Sequence, residues 1–346
     1  MNAPSWPSRL RASPELFPLD FRGPEIVQLV ALGPADYERA SFLDERLARS
    51  ADLSAPYGEL AQAAAGLPAA CDFIFHTGHV GSTLIARVLG RHPQVFALRE
   101  PQILRSFAEA ARRGGPWDAD VLRTRLGVFV RLFSRTWEPE QRSVVKATSL
   151  VSELAAELLA LETGARALMV TVAPETYLAT ILGGPNSRLE LGAAAPGRAA
   201  RLERRIGPGR LRLAELSEGE TAAMSWACEM TALAAAAGVH SGRAAWIDFE
   251  VFLAAPRAGL AAALAHLRRA ADAAEIERIA RSGYLERYAK APEYAYGREV
   301  RRQVLDAARR DAGAEIRRGL AWLEAAAAEP QIAEALAIAE APRHVG

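Results

Sequence analysis

The stretch "CDFIFHTGHVGSTLIARVL", residues 71–89, limits the possible folds of this chain more than any other. Phe73-Ile74-Phe75 is wholly apolar, the pattern of a short strand covered on both faces of a sheet. The run stops at a turn bracketed by Gly78 and Gly81, and an amphipathic segment opens on Ser82-Thr83. Glycines at those two places let the backbone curl until successive N–H groups point inward. The hydroxyls of Ser82 and Thr83 fall in the first turn of the following helix, whose unsatisfied amides carry partial positive charge. Together these features make an anion cradle, and an ordinary strand–turn–helix corner is the rival reading.

A nucleotide-hydrolysing loop would read Gly-Lys-[Ser/Thr] here, with lysine on the β- and γ-phosphates and the hydroxyl on magnesium. This chain has Gly81-Ser82-Thr83. Without the lysine, a triphosphate and its metal would lack their main counter-charge. The loop suits a nucleotide with one phosphate and a transferable group of lower charge.

The α/β alternation continues downstream. "SVVKAT", "ARALMVTV" and "RAAWIDF" read as further strands, with the helical "LVSELAAELLALETG" between the first two. Strands separated by helices pair in parallel through right-handed crossovers. The expected fold class is therefore α/β: a P-loop-type parallel sheet with flanking helices, an N-terminal extension and a helical C-terminal region. The expected boundaries are 1–68 for the extension, 69–290 for the α/β domain and 291–346 for the helical region packed on it. Within the extension "EIVQLVAL" reads as a strand and "PADYERASFLDERLARS" as a helix started by Pro34. Residues 183–216, rich in Gly, Pro and Arg, read as an insertion or mobile cap. Ser217 and Glu220 stand in capping-box spacing, and Gly238 reads as the stop of the helix they open.

The 346 residues suffice for such a domain, and a net charge of +1 supplies no global field toward nucleic acid or an anionic membrane. The Tyr- and Arg-rich C-terminal run interleaves Glu299, Asp306, Asp311 and Glu315 with Arg302, Arg309 and Arg317, as a solvated helix face does. No nucleic-acid partner is expected, and "YAKAPEYAYG" (288–297) reads as a loop packed over the active site. Cys71 and Cys228 stand far apart, with no metal-type spacing, and read as core thiols. The N-terminus lacks the apolar core of a signal peptide, and no segment reads as a membrane span, so a cytoplasmic protein without membrane partners is expected. Heavy use of Ala, Arg and Gly is the composition of GC-rich bacterial coding.

"FIFHTGHVGSTLIARVL" followed by "FALREP" resembles the start of a sulfotransferase domain, the family whose donor is 3′-phosphoadenosine 5′-phosphosulfate (PAPS). "VVKATSL" resembles the family's strand ending in Lys. "ARALMVTVAPETYLATIL" resembles its strand-Pro-helix for the 3′-phosphate, and "WIDFEVFLAAPRAGLAAALAHL" its late strand and helix. The likeness spans roughly residues 71–270. It implies a nucleotide-binding transferase that moves a sulfuryl group to a hydroxyl or amine of a small-molecule or peptide acceptor, without a metal.

By this resemblance Gly78, His79, Val80, Gly81, Ser82 and Thr83 hold the 5′-phosphosulfate, with His79 where the family carries a cation. A turn histidine capping the backbone is the alternative for His79, and His76 reads as structural. Glu100, at the end of the apolar "VFAL" run, is the expected general base. Pro101 pushes it toward an extended conformation at the strand edge that lines the crevice. A carboxylate serves as base when desolvation raises its pKa; the alternative is an ion pair with Arg99 or another arginine. Lys146 ends its strand, so its ammonium is expected either at the same crevice as the second cation or simply in solvent. The largest departure concerns the 3′-phosphate. Aligning on Pro174 puts Val172 where the family has Arg and Thr180 where it has Ser. Either another arginine substitutes, Arg188 being nearest, or the donor is not ordinary PAPS. Two other readings stay open: a catalytically silent nucleotide-binding relative, and a kinase-like enzyme requiring magnesium and ATP.

Overall fold

The computed structural model describes residues 5–48, 52–287 and 297–341. Among these residues eight strands form two sheets. β1 (Leu16–Phe21), β2 (Ile26–Ala31) and β3 (Leu53–Pro56) make an antiparallel sheet in that order. β4 (Cys71–His76), β5 (Val95–Arg99), β6 (Arg142–Lys146), β7 (Ala167–Thr171) and β8 (Ala244–Asp248) make a parallel one, ordered β5-β6-β4-β7-β8. The expected P-loop-type sheet is therefore present, with β4, the strand that feeds the glycine loop, at its centre.

Alternation along β4 explains why both faces are covered. Phe73 and Phe75 enter one core together with Val145 and Met169, while Ile74 enters the other with Val144, Leu168 and Val170. Each fully buried phenylalanine contributes about 1.5–3 kcal/mol of transfer free energy. The first core also takes Phe17, Leu19, Val27 and Leu29 from the antiparallel sheet, so the N-terminal residues are built into the sheet's packing. The second is filled by helices, chief among them Glu218–Val239.

That helix opens on the expected capping box: the Ser217 Oγ accepts from Glu220 N (3.3 Å), and Ser217 N donates to a Glu220 carboxylate oxygen (2.7 Å). It ends at Val239 with His240 as its cap, one residue beyond the expected glycine stop. Gly219 is required by close packing, since a Cβ there would stand 1.9 Å from the Glu315 carbonyl oxygen. Contrary to the sequence reading, this helix, alone among the described residues, is by length and composition long and apolar enough to cross a membrane, with 22 residues and an 18-residue stretch of mean hydropathy 1.2. Most of it is buried inside the protein, and its apolar length is what a central core helix needs.

Two further expectations are corrected. Residues 183–216 are no loose cap: Pro185–Ile206 is a continuous helix of 22 residues, despite Pro196 within it. Pro185 sits at the helix start, where its fixed φ is compatible, and Leu191, Ala195, Leu202 and Ile206 bury one face. Of the stretch 34–50, expected as one helix, only Pro34–Arg39 is α-helical among the described residues, followed by a 3₁₀ turn at Glu45–Leu47. The "YAKAPEYAYG" loop falls, but for Gly297, outside the described residues.

Candidate active site

In a parallel sheet all strands end on the same edge, and the crevice beyond their carboxyl ends is where ligands bind. Four segments carry the candidate residues to that edge. β4 delivers the loop, β5 delivers Glu100, β6 ends on Lys146, and β8 runs into Phe249.

The loop has the strained geometry its glycines foretold. Gly78 has φ +93° and Gly81 +72°, and between them His79 takes φ +53°. Gly78 N donates to His76 Nδ1 (3.0 Å), which closes the turn and gives His76 its structural part. At Gly81 a side chain is impossible twice over. The backbone is left-handed, and a Cβ would lie 2.0 Å from the ring of Phe249. From His79 to Thr83, no backbone N–H donates to a protein acceptor among the described residues. Three of these donors precede the Ser82–Leu89 helix and two open its first turn, and such a run of successive unspent donors is the property an anion site requires.

His79 does not stand alone in the loop. Its Nε2 meets Glu190 (3.1 Å), and its Nδ1 lies 3.5 Å from the Ser187 Oγ, both on the Pro185–Ile206 helix. One turn of that helix therefore sits against the loop.

Glu100 and Lys146, expected as separate groups, are partners. The Lys146 ammonium donates to the Glu100 carboxylate, and the Glu100 N–H donates to the Lys146 carbonyl (2.6 Å). Instead of reaching open solvent or standing free in the crevice, the Lys146 side chain is 1% exposed. The carboxylate is the more accessible member, at 22%. Pro101 does not hold Glu100 extended: its φ is +50°, because the chain leaves the sheet directly after the bond to Lys146. Among the described residues only His79, Glu100 and Arg268 are non-glycines in this region. Left-handed backbone at such residues costs on the order of 1–3 kcal/mol each and clusters where function over-determines geometry. Arg99, the alternative partner for Glu100, is spent on the carbonyls of Tyr37, Glu38 and Ala40.

Residues of the N-terminal part complete this corner. Leu43 N donates to the Arg99 carbonyl (2.7 Å) and Gln102 N to the Leu43 carbonyl (2.9 Å). This brings the Phe42 ring to 5.6 Å from the Lys146 ammonium and 4.9 Å from the Arg46 guanidinium. Arg46 has a raised pKa, chiefly from its hydrogen bond to Asp44, with a smaller contribution from the Glu100 charge.

The region expected to take a 3′-phosphate is different. Val172 is wholly buried in the core. The Thr180 hydroxyl donates to the Thr176 carbonyl of its own helix (2.7 Å). Arg188 donates through Nε to the Leu182 carbonyl (2.7 Å) and pairs with Glu218 (3.3 Å). Val172 has no donor to offer and the Thr180 hydroxyl has spent its own, while Arg188 keeps only Nη2 without a protein acceptor among the described residues.

What the sequence reading missed lies on the helix it took for a cap. Arg198 is buried and donates through Nε to the fully buried Glu229 (3.0 Å), and its Nη2 lies 4.0 Å from where a Cβ on Gly78 would stand. Arg201 forks onto the same carboxylate at 2.5 and 3.1 Å, and the Ser152 hydroxyl donates to it as well. Burial opposes ionisation of Glu229, yet the charges of Arg201 and Arg198 and the Arg201 and Ser152 hydrogen bonds hold its pKa below the ordinary range. The spacing Leu191, Ala195, Arg198, Leu202 is the trace a helix face leaves in sequence, interrupted to the eye by Pro196 and Gly197. Cys71 and Cys228 are buried free thiols, pushed up to about 12 and about 11 by burial, and take no part.

No family model matches the chain, and no curated protein matches it. Among solved structures it is similar to a sulfotransferase domain from the curacin biosynthetic pathway, at 15% identity over 66% of this chain and 83% of that one, with a TM-score of 0.41. It is also similar to a sulfotransferase from Alicyclobacillus acidocaldarius (16% identity, 73% and 94% covered, TM-score 0.34). A third is a mouse sulfotransferase complexed with PAP (11% identity, 65% and 68% covered, TM-score 0.33). All three are distant likenesses, and the chemistry of this chain has to come from its own residues.

Proposed function

We propose that this protein is a sulfotransferase-like enzyme that moves a sulfuryl group from PAPS to a hydroxyl or amine acceptor, a small molecule or a peptide. The observation that carries the reading is the run of five unspent amides, His79 to Thr83, at the sheet edge that also bears the Lys146–Glu100 pair. The bound donor supplies a sulfur that accepts the acceptor's oxygen or nitrogen while its bond to the phosphate oxygen breaks. Amides of the loop stabilise charge on that departing phosphate as preorganised donors. A Glu100 carboxylate oxygen takes the acceptor's proton, and Lys146 fixes the orientation of that carboxylate. His79, held by Glu190, offers a ring N–H beside the loop. No step calls for a metal ion.

A second reading, a nucleotide-binding relative without turnover, is favoured by one observation: the residues at the expected 3′-phosphate positions are buried or already engaged. Calorimetry with adenosine 3′,5′-bisphosphate, paired with transfer of labelled sulfate from PAPS to a panel of alcohols, phenols and amines, separates the two. Binding with transfer is expected. Binding without transfer across the panel favours the silent relative, and absence of binding would defeat both.

A further inference from the structure

The Pro185–Ile206 helix turns one face to the glycine loop, with Ser187 and Glu190 on His79 and Arg198 at Gly78. We propose that Arg198 is the loop's missing counter-charge, the cation that binds the ester-linked phosphate or sulfate held by residues 78–83 in place of the absent lysine. The assignment rests on the reading of that loop as an anion site.

Three observations carry it. The Arg198 side chain is 7% exposed, and its one hydrogen bond among the described residues runs from Nε to Glu229, which leaves both Nη groups without a protein acceptor. The guanidinium is buried at its Nε end, and its Nη groups keep the small accessible surface through which an anion can meet the fork. Next, the carboxylates around it do not balance the arginines. Glu229 serves both Arg198 and Arg201, and Glu153 serves Arg201 and Arg205. Three guanidiniums against two carboxylates leave one positive charge in excess, and Arg198 is the member beside the loop. Glu190, the other acid on this face, is turned to His79.

The third observation is Tyr177. Its hydroxyl is fully buried without a hydrogen-bond partner, and the charges of both Arg198 and Glu190 act on it. Burial pushes its pKa up to about 12, so it stands beside Arg198 as a neutral donor. Burial works against the Arg198 charge, but the Glu229 carboxylate, by its charge and its hydrogen bond, helps hold the guanidinium above its ordinary pKa. An arginine anchored through Nε offers its two Nη groups as a planar fork, the geometry that matches two oxygens of a phosphate or sulfate. The loop amides would bind the anion from one side and the fork from the other.

Calorimetry with inorganic pyrophosphate and with adenosine 3′,5′-bisphosphate on the wild-type, R198Q and R198K proteins tests this. R198Q is expected to weaken both affinities by about 10–100-fold, the worth of a charged hydrogen-bonding partner. R198K, a point charge without the fork, is expected to lose roughly 3–10-fold. An R198Q protein with unchanged far-UV circular dichroism that binds pyrophosphate at wild-type affinity would overturn the assignment and leave the sulfotransferase reading standing. A wild-type protein that binds pyrophosphate but ignores the nucleotide would remove that reading, while loss of pyrophosphate affinity in R198Q would still support Arg198. Wild-type protein that binds neither anion overturns both. Should R198Q fail to fold, R198K decides alone, and unchanged pyrophosphate affinity there overturns the assignment.

Discussion

The two ends of the crevice differ in what their polar groups are already doing. Around residues 78–83 five amides are unspent, and Gly81 lies under Phe249 so closely that nothing but hydrogen fits. Around residues 172–188 the candidates are largely committed: Val172 to the core, Thr180 to its own helix, and Arg188 through Nε to Leu182 and Nη1 to Glu218. A buried donor with no partner is costly in the free protein, so it persists where a ligand completes it. A donor already satisfied within the fold has to break a bond before it can bind. On the proposed function the first end receives the anion, whereas Val172 and Thr180 serve the fold.

The largest test of that contrast is Glu100→Gln. Turnover should fall about 10²–10⁴-fold, the usual worth of a general base. Affinity for adenosine 3′,5′-bisphosphate should stay near the wild-type value, because the loop is untouched. Steady-state kinetics alongside calorimetry read both, and unchanged turnover removes the base assignment.

Next comes Glu229→Gln, which leaves Arg198 and Arg201 without their shared carboxylate. A loss of about 3–5 kcal/mol is expected in urea unfolding near neutral pH. The pH dependence has a definite sign. A carboxylate whose folded pKa is depressed stabilises fully above its unfolded pKa, and that contribution disappears as pH falls through the folded value. Wild-type stability should therefore decline from about pH 5 downward more steeply than that of Glu229→Gln. Parallel curves would mean the carboxylate is not held ionised.

Gly81→Ala should cost about 1–2 kcal/mol for the left-handed backbone and about 1–3 kcal/mol for the clash with Phe249. Loss of nucleotide binding should accompany it. A protein as stable as the wild type and still binding would show that the loop is not shaped as described.

The smallest effect should come from Arg188→Gln combined with Thr180→Val, at the committed end. Nucleotide affinity is expected to change by less than about threefold, since both side chains already have partners and a second-end contact worth even 1 kcal/mol would show as about fivefold. A tenfold loss would mean that these residues let go of their partners and meet the ligand.

Much of this was legible in the letters. Short apolar runs bounded by turns gave the central strand and its neighbours, because a strand buried on both faces has nowhere to place a polar residue. The loop was legible because glycine and hydroxyl residues at that spacing have few other uses. Pairing was not: nothing in "LREP" or "VVKAT" says that Glu100 and Lys146 bond each other, since that depends on β5 lying beside β6 in register, with Arg99 opposite Lys146. The helix Pro185–Ile206 was hidden for another reason. Its Gly, Pro and Arg content reads as loop composition, and what overrides that propensity is tertiary, a carboxylate on a distant helix that draws Arg198 and Arg201 inward. The N-terminal strands were partly visible, whereas the placement of Phe42 and Arg46 beside Glu100 was not.

The most direct test of the central claim follows the amide resonances of His79 to Thr83 while adenosine 3′,5′-bisphosphate is added. The account predicts that these five amides shift together and saturate with the same affinity that calorimetry gives, ahead of any change near Thr180. Saturable binding that leaves all five unmoved would contradict it.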